Sequence, residues 1–264
     1  MLEIRGVYKT FNPGTINEKH ALNGVDLTLN DGDFVTVIGG NGAGKSTMLN
    51  AVAGVWPVDR GAILMDGEDI SGLPEHKRAP MLGRVFQDPM TGTAANMTIV
   101  ENMTLAARRG KSRGLQWGVT RVLREEYREK LKILDLGLED RLTAKVGLLS
   151  GGQRQALTLL MATLQRPKLL LLDEHTAALD PKTASKVLKL TRQLVAENHL
   201  TALMVTHNMK DALQYGNRTI MMNDGKIIVD INRETKARLR VEDLLRMFEQ
   251  TSGSALDNDR MLLG

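Results

Sequence analysis

The chain has 264 residues, of which 42% are hydrophobic and 25% charged, a balance that is typical of one large globular domain. It contains no cysteine, which excludes a disulfide framework and thiolate metal sites. The net charge of +4 is too small to require an anionic partner, and no apolar run approaches the roughly 18 residues that span a bilayer.

The first third of the chain predicts short strands around one glycine-rich loop. Strands are expected at residues 2–7, 21–29, 34–38, 62–65 and 82–86. The third of these is a continuous apolar run, FVTVI, which indicates a strand buried on both faces. The glycine-rich loop follows it, and a helix over 45–53 is then ended by Gly54.

The middle of the chain, from about 97 to 147, has apolar residues at helical spacing with charges between them. These residues are Val119, Val122, Leu123, Tyr127, Leu131 and Leu134. We interpret the stretch as a helical lobe that is inserted into an α/β core.

Helices and strands alternate again in the last part of the chain. Ser150 is the predicted N-cap of a helix that continues to about Gln165, and Asp180 with Pro181 is the predicted start of another. The Asp224-Gly225 pair predicts a hairpin turn. Strands are expected at residues 168–173, 201–206, 218–223 and 226–231.

The segment VEDLLRMFEQ, residues 241–250, predicts an amphipathic helix. Its apolar face consists of Leu244, Leu245 and Phe248. We expect this face to pack on the chain's own core, and packing on a second copy is the alternative. Residues 251–264 are polar and are expected to form a disordered tail.

The stretch GGNGAGKST, residues 39–47, has the G-x-x-x-x-G-K-S spacing of a phosphate-binding loop. Its glycines allow a tight turn that directs backbone N–H groups at one anion, and the next helix adds the positive end of its dipole. Lys45 can reach the β and γ phosphates, and the Ser46 hydroxyl is a ligand type that Mg²⁺ prefers. A chance glycine-rich turn is the alternative. The predicted nucleotide-binding residues are Gly39, Asn41, Gly42, Ala43, Gly44, Lys45, Ser46 and Thr47.

Four leucines followed by two acids, LLLLDE, form a second motif. Because the strand is buried, its acids emerge at its carboxyl end, where α/β folds place ligands. Asp173 is predicted to hold Mg²⁺, usually through water, and Glu174 to accept a proton from an attacking water. A plain helix cap after a strand is the alternative.

Many nucleotide-binding proteins share these two motifs, and LSGGQ at residues 149–153 is the discriminating stretch. With it, the chain resembles the ATP-binding cassette (ABC) family over residues 2 to about 231. Gln87 in VFQDP matches the Q-loop of that family, Asp180 in ALD its D-loop, and His207 in VTHN its switch histidine. Phe11 in KTF matches the aromatic residue that stacks on adenine, with Tyr8 as the second candidate.

The resemblance implies an α/β fold, namely a P-loop NTPase core with a parallel sheet, an antiparallel β subdomain and an inserted α-helical subdomain. The nucleotide-binding domain is expected over residues 1–250, with the helical subdomain at about 91–150. ATP and Mg²⁺ are the implied cofactors. In the family, two such domains pair head to tail and clamp ATP between the phosphate loop of one copy and the LSGGQ of the other. Loss of the γ phosphate then loosens the clamp.

The resemblance also assigns roles to individual residues. The expected catalytic residues are Glu174, His207 and Gln87. The expected Mg²⁺ ligands are Ser46, Gln87 and Asp173. The nucleotide-binding set is completed by Phe11, Ser150, Gly151, Gly152, Gln153 and Asp180.

One residue departs from the family pattern. The family commonly has Pro after the catalytic Glu, whereas this chain has His175 in DEHTAALDP. Histidine leaves the backbone φ unrestricted and adds a ring that can titrate. We interpret it as a tolerated local variant, and a catalytic role for the ring is the alternative.

The implied function is that of an ATP-hydrolysing subunit that powers an ABC membrane transporter. The stretches GRVFQDPMTGTA and LLLLDEHTAALDP resemble ATPases of bacterial uptake systems for small organic solutes such as amino acids. The expected partners are a second nucleotide-binding subunit, separate permease subunits and an extracytoplasmic solute-binding protein. The expected location is cytoplasmic, on the inner face of the cell membrane, and no nucleic acid partner is expected.

Two other classes remain as alternatives. A non-transport ABC ATPase acting on DNA or the ribosome would have a long coiled coil or two cassettes, and this sequence has no sustained heptads and one cassette. A regulatory GTPase would have Asn-Lys-x-Asp, but residues 208–211 read Asn-Met-Lys-Asp.

A basic cluster near Trp117 is interpreted as a solvated face. Contact with anionic headgroups or with a membrane subunit is the alternative. The cluster consists of Arg108, Arg109, Lys111 and Arg113.

Overall fold

The structure is a computed structural model that describes residues 1–111 and 118–252. It divides into two compact units, of which the first comprises Met1–Arg78 and Leu200–Gly264 and the second Ala79–His199. The predicted boundaries of the nucleotide-binding domain and of its helical subdomain remain predictions. Within the described ranges, no helix combines the length and the apolar character that crossing a membrane requires.

The first unit begins with β1 (Leu2–Phe11), β2 (Lys19–Leu29), β3 (Phe34–Gly39), α1 (Lys45–Ala53), β4 (Arg60–Met65), β5 (Glu68–Asp69) and α2 (Glu75–Arg78). The second unit contains β6 (Leu82–Val85), α3 (Ile99–Ala107), α4 (Arg121–Lys132), a 3₁₀ turn (Val146–Leu148), α5 (Gly151–Thr163), β7 (Leu169–Asp173) and α6 (Pro181–Glu197). The chain then returns to the first unit with β8 (Thr201–Val205), α7 (Met209–Gln214), β9 (Arg218–Asn223), β10 (Lys226–Ile231), α8 (Arg233–Lys236) and α9 (Val241–Ser252).

Two kinds of strand pairing occur in the first unit. One sheet is antiparallel with the order β2-β1-β4-β5. In the other arrangement, β3 lies between β8 and β9 and is parallel to both, while β10 pairs antiparallel with β9. Every residue of β3 is buried, which confirms the prediction from its continuous apolar run.

The hairpin of β9 and β10 turns at the predicted pair. Asp224 has φ 46° and Gly225 φ 72°, so both residues are in the left-handed region that the favoured two-residue hairpin turns require. Aspartate and glycine tolerate this region better than most residues, which is why the pair could be recognised in the sequence.

The C-terminal helix α9 packs on the core of its own unit, as expected. Leu244 and Phe248 are buried in a cluster with Ile38, Met221 and Ile231, and Leu245 packs against the same cluster. The apolar face is therefore covered within the chain. Of the predicted tail, Thr251 and Ser252 belong to α9, and the remainder lies outside the described residues.

In the second unit, β6 pairs in parallel with β7, and helices form most of the remainder. A capping box starts α3, since the Thr98 side chain accepts from the Glu101 N–H and Glu101 reaches back to the Thr98 N–H. The T-x-x-E spacing was readable in the sequence, although the start of this helix was not predicted. Because α4 is short, Val119 and Leu134 lie outside it, and Val122 is 77% exposed, so the apolar spacing predicted a longer helical face than exists.

The interpretation of the basic cluster as a solvated face is wrong for Arg109. The residue is half-buried with its Nε buried, and Nη2 donates to the carbonyl of Ala162 at 3.4 Å. Burial lowers the pKa of this guanidinium. Arg108 is half-buried and Lys111 exposed, whereas Arg113 and Trp117 lie outside the described residues.

Candidate functional site

The phosphate loop needs glycine at its two ends. Gly39 has φ 153°, and a Cβ there would lie 2.2 Å from the carbonyl oxygen of Met222. Gly44 has φ 99°, and a Cβ there would lie 2.5 Å from the carbonyl oxygen of Ala21. Neither position leaves room for a side chain, so the loop conformation depends on glycine at both.

The start of α1 is suited to bind an anion. Its N-cap is Gly44, which has no side chain to accept a hydrogen bond from the first turn. The helices α3, α5 and α6, in contrast, begin with side-chain caps from Thr98, Ser150 and Asp180. A phosphate group can therefore supply at α1 what a hydroxyl or carboxylate supplies elsewhere.

Lys45 is held inside this loop. The residue is buried, and its Nζ donates to the carbonyl oxygens of Gly39 at 2.9 Å and Gly40 at 3.0 Å. The Lys45 ammonium is thus held among the loop residues by hydrogen bonds within the protein itself. Ser46 is exposed and Thr47 half-buried on the same helical turn, and Asn41 and Gly42 are exposed.

The two aromatic candidates for adenine have different neighbours in the structure. The ring of Phe11 meets the ring of Trp56 edge to face, with centroids 4.8 Å apart, and Lys9 Nζ lies 5.7 Å from the Phe11 centroid. Tyr8 instead lies over Gly24, where an added Cβ would be 2.8 Å from the Tyr8 hydroxyl. The choice of Phe11 over Tyr8 stays a prediction. Trp56 was not predicted.

His207 also belongs to the first unit. It lies between β8 and α7, is half-buried, and is followed by Asn208, whose side chain caps α7 through the N–H groups of Lys210 and Asp211. Burial raises the pKa of Asp211, and His207 nearby opposes the rise. The structure thus places the predicted switch histidine at a strand end, as its sequence position indicates.

In the second unit, Asp173 is the last residue of β7 and Glu174 follows it. Glu174 has φ 44°, which is in the left-handed region that non-glycine residues rarely adopt. His175, next in sequence, is almost completely buried, and burial lowers its pKa to about 4. A neutral ring without access to solvent does not suit the catalytic alternative for His175.

The start of α5 has the predicted cap. Ser150 Oγ accepts from the N–H of Gln153 at 3.3 Å, and the Gln153 side chain accepts from the Ser150 N–H at 3.2 Å. Gly151 is exposed and Gly152 half-buried on the first turn. This arrangement leaves the positive end of the α5 dipole at the surface of the unit.

Asp180 caps α6, as predicted. Its Oδ1 accepts from the Thr183 N–H at 3.1 Å, and the hydrogen bonds from Thr183 lower the pKa of this exposed carboxyl. Pro181 occupies the first helical turn, where no N–H is needed. Asp180 therefore has a structural function in addition to the predicted place in the nucleotide site.

Gln87 is exposed and follows β6. The preceding residue, Phe86, is held through both its ring and its carbonyl group. The guanidinium carbon of Arg84 lies 4.5 Å from the centroid of the Phe86 ring, and the Phe86 carbonyl accepts from Gln155 Nε2 at 2.9 Å. Gln155 lies just beyond LSGGQ, and no role was predicted for it because its partners are distant in sequence.

Comparisons with known proteins show which family the chain is similar to. A family model described as ABC transporter matches residues 22–177. The chain is 44% identical over 254 residues to the tyrosine transport ATP-binding protein of Clostridioides difficile (strain R20291), covering 94% of this chain and 99% of that protein. It is 33% identical over 230 residues to the spermidine/putrescine import ATP-binding protein PotA of Haemophilus influenzae, covering 87% of this chain and 57% of PotA.

The fold is also that of a solved cassette. The dimeric structure of the ATP-binding cassette MJ0796 in a post-hydrolysis state, bound to ADP and Pi, has a TM-score of 0.75 and 31% identity, covering 88% of this chain and 99% of that one. The phosphate loop, the buried strand ending in Asp173 and the capped LSGGQ helix are thus found in a chain that matches the family over most of its length. The chain therefore belongs to the ABC transporter family and is an ATP-hydrolysing cassette of that family.

Proposed function

We propose that the chain is the ATPase subunit of a bacterial importer for a small organic solute, with an amino acid such as tyrosine as the first candidate. The observation that carries the proposal is the 44% identity to a tyrosine transport ATP-binding protein, which extends over 94% of this chain and 99% of that protein. The name of PotA, an import ATP-binding protein, supports the direction of transport.

The proposal includes the partners that such a subunit needs. These are a second copy of the chain, separate permease subunits and an extracytoplasmic solute-binding protein, and the cassettes bind the permease at the cytoplasmic face of the membrane. The dimeric state of the MJ0796 cassette supports the pairing of two copies.

In this proposal the first unit binds the nucleotide. Phe11 stacks on adenine, and Lys45 binds the β and γ phosphates with an ammonium that already lies inside the loop. Backbone N–H groups at the start of α1 donate to the same phosphates. From the second copy, the N-terminal end of α5 with Ser150 and Gly152 closes over the γ phosphate.

The second unit supplies the reaction with its base. Glu174 accepts the proton of the water that attacks the γ phosphate, while His207 and Gln87 are the other proposed catalytic residues. Hydrolysis removes the phosphate that both copies share, so the two copies can separate. In this way, the nucleotide that the two copies bind determines the conformation of the permease.

The residues of this chain suit a magnesium ion by their donor chemistry, because a hydroxyl and a carboxylate are hard oxygen ligands. Ser46 is exposed on the first turn of α1, and Asp173 ends β7. These two residues and Gln87 would hold the ion. When bound, Mg²⁺ neutralises charge that develops on the phosphates.

An uptake experiment tests the proposal. In the cells that produce this chain naturally, we expect Glu174→Gln to abolish uptake of labelled tyrosine, while the matched surface change Glu249→Gln on α9 leaves it intact. A panel of other labelled amino acids measured in parallel identifies the solute. If uptake of every amino acid in the panel persists in the Glu174→Gln cells, the proposed function is wrong.

The alternative of an ATPase that acts on DNA or the ribosome is not proposed. The matching family model is that of ABC transporters, and the two relatives described above are named for transport and import.

A further inference from the structure

The side chain of His175 is anchored to α6. Its ring is 2% exposed, and Nε2 lies 3.0 Å from Thr191 Oγ1. The Thr191 hydroxyl donates its only proton to the carbonyl of Val187 at 2.9 Å, so its oxygen accepts from His175. We therefore assign a proton to Nε2 of the ring.

The backbone of His175 is anchored to α5. Gln155 is completely buried, and its Nε2 donates to the carbonyl oxygen of His175 at 2.6 Å and to that of Phe86 at 2.9 Å. Both amide protons are thus used, whereas Gln155 Oε1 finds no hydrogen-bond partner among the described residues. A buried acceptor without a partner is destabilising. The fold tolerates this cost at Gln155 Oε1, while Gln155 Nε2 holds the two carbonyl groups.

Between these anchors and β7 lies Glu174, whose backbone is in the left-handed region at φ 44°. A residue in this region keeps its conformation only where the surrounding structure over-determines it. The ABC sequences that this chain resembles commonly have Pro at the next position, whose ring restricts φ. His175 has no such restriction, and the hydrogen bonds to Thr191 and Gln155 replace it.

We propose that His175 and Gln155 are positioning residues that hold the Glu174 carboxylate where it can take a proton from the attacking water. The proposal rests on the proposed role of Glu174 as the base. The His175 ring does not exchange protons with the substrate, because it is buried and its Nε2–H is bound to Thr191. Through the carbonyl of Phe86, the Gln155 amide also fixes the residue that precedes Gln87.

Steady-state ATP hydrolysis by variants tests this positioning. We expect His175→Leu and Gln155→Leu to lower kcat by about 10- to 100-fold with the KM for ATP changed by less than about twofold, because a misplaced base affects the reaction and not binding. Thr191→Val should shift kcat in the same direction. His175→Gln keeps an N–H donor for Thr191 and should retain most of the turnover.

A matched control is available on α5. Thr163 is also a buried threonine whose hydroxyl donates to its own helix, to the carbonyl of Leu160 at 2.9 Å. Among the described residues, the histidine that contacts a threonine of α6 contacts Thr191 and not Thr163. Thr163→Val therefore removes the same group without touching the positioning bonds. Its kcat should equal that of the wild type, and an equal loss in Thr163→Val and Thr191→Val would overturn the proposal.

Combination with Glu174→Gln separates the two proposals. If His175 acts through Glu174, His175→Leu adds no further loss of turnover in the Glu174→Gln chain. A Glu174→Gln chain that hydrolyses ATP like the wild type contradicts the proposed base itself. A Glu174→Gln chain without turnover, beside His175→Leu and Thr191→Val chains with full turnover, contradicts the positioning alone. Thermal unfolding identifies any variant that does not fold. If His175→Leu does not fold, the turnover of Thr191→Val decides the question in its place.

Discussion

Gly152 lies directly against Thr183, so that a Cβ at position 152 would come within 2.1 Å of the Thr183 methyl carbon. This contact joins the first turn of the LSGGQ helix to the first turn of α6, which Asp180 caps. At Gly151, in contrast, the neighbour that an added Cβ would meet within the described part of the chain is Leu179, at the ordinary distance of 3.6 Å. A side chain at position 152 of the signature would therefore clash with its neighbour, whereas one at position 151 would not.

The first prediction follows from this difference. Gly152→Ala should lower the free energy of unfolding by about 1–3 kcal/mol through overpacking. Thr183→Ser removes only the clashing methyl group, so the Gly152→Ala/Thr183→Ser chain should regain most of the loss. Denaturant unfolding measures the effect, with Gly151→Ala as the matched control. Equal destabilisation by Gly151→Ala and Gly152→Ala would rule out the contact as the cause.

The second prediction concerns the proposed base. Glu174→Gln removes the carboxylate that accepts the proton but keeps the size and shape of the side chain. Turnover of ATP should fall roughly 10²–10⁴-fold, or about 3–5 kcal/mol, while ATP still binds. Phosphate release and equilibrium binding of ATP, measured on the same preparation, check both parts. Turnover at the level of the Glu249→Gln control would remove Glu174 from the mechanism.

The third prediction concerns the adenine site. Phe11→Ala should weaken ATP binding by about tenfold or more, since stacking of a base on an aromatic ring contributes roughly 1–3 kcal/mol. Tyr8→Phe removes only a hydroxyl that lies over Gly24 and should leave affinity unchanged. The chain has two tryptophans, so Trp117→Phe leaves Trp56, next to Phe11, as the sole source of indole emission. Titration of that emission with ATP gives the affinity, and no loss in Phe11→Ala contradicts the assignment.

The fourth prediction is a dependence of stability on pH. Burial lowers the pKa of His175 from 6.5 to about 4, so between these values the unfolded chain binds a proton that the folded chain does not. The contribution of this residue is fully present above about pH 6.5 and is lost as the pH falls toward 4, amounting to about 3 kcal/mol. Urea unfolding at several pH values should show a shallower acid slope for His175→Gln than for the wild type. Identical slopes would show that the ring is not held neutral.

Local sequence patterns predicted those parts of the site whose residues interact within a few positions along the chain. The strand, glycine-rich loop and helix over residues 34–53 have nearly the predicted bounds, because burial of β3 and the glycines each leave a pattern within a few residues. The caps at Ser150 and Asp180 were predicted for the same reason, since a cap bonds to an N–H three residues away.

Contacts between distant residues could not be predicted in this way. Nothing near Gln155 in sequence indicates that it donates to Phe86 and His175, and nothing near Phe11 indicates the ring of Trp56. The left-handed conformation of Glu174 is likewise a product of its surroundings, because glutamate has no intrinsic preference for it. Tertiary packing decides such features, and periodicity does not record them.

The interrupted course of the first unit has a consequence for how the chain folds during synthesis. The neighbours of β3 are β8 and β9, both of which are translated after the whole of the second unit. The strand that carries the phosphate loop therefore leaves the ribosome without the partners that bury it, and the second unit, which is contiguous, can form first. Pairing over so great a separation in sequence is slow, so the apolar strand FVTVI stays exposed to aggregation in the nascent chain until β8 and β9 have been made.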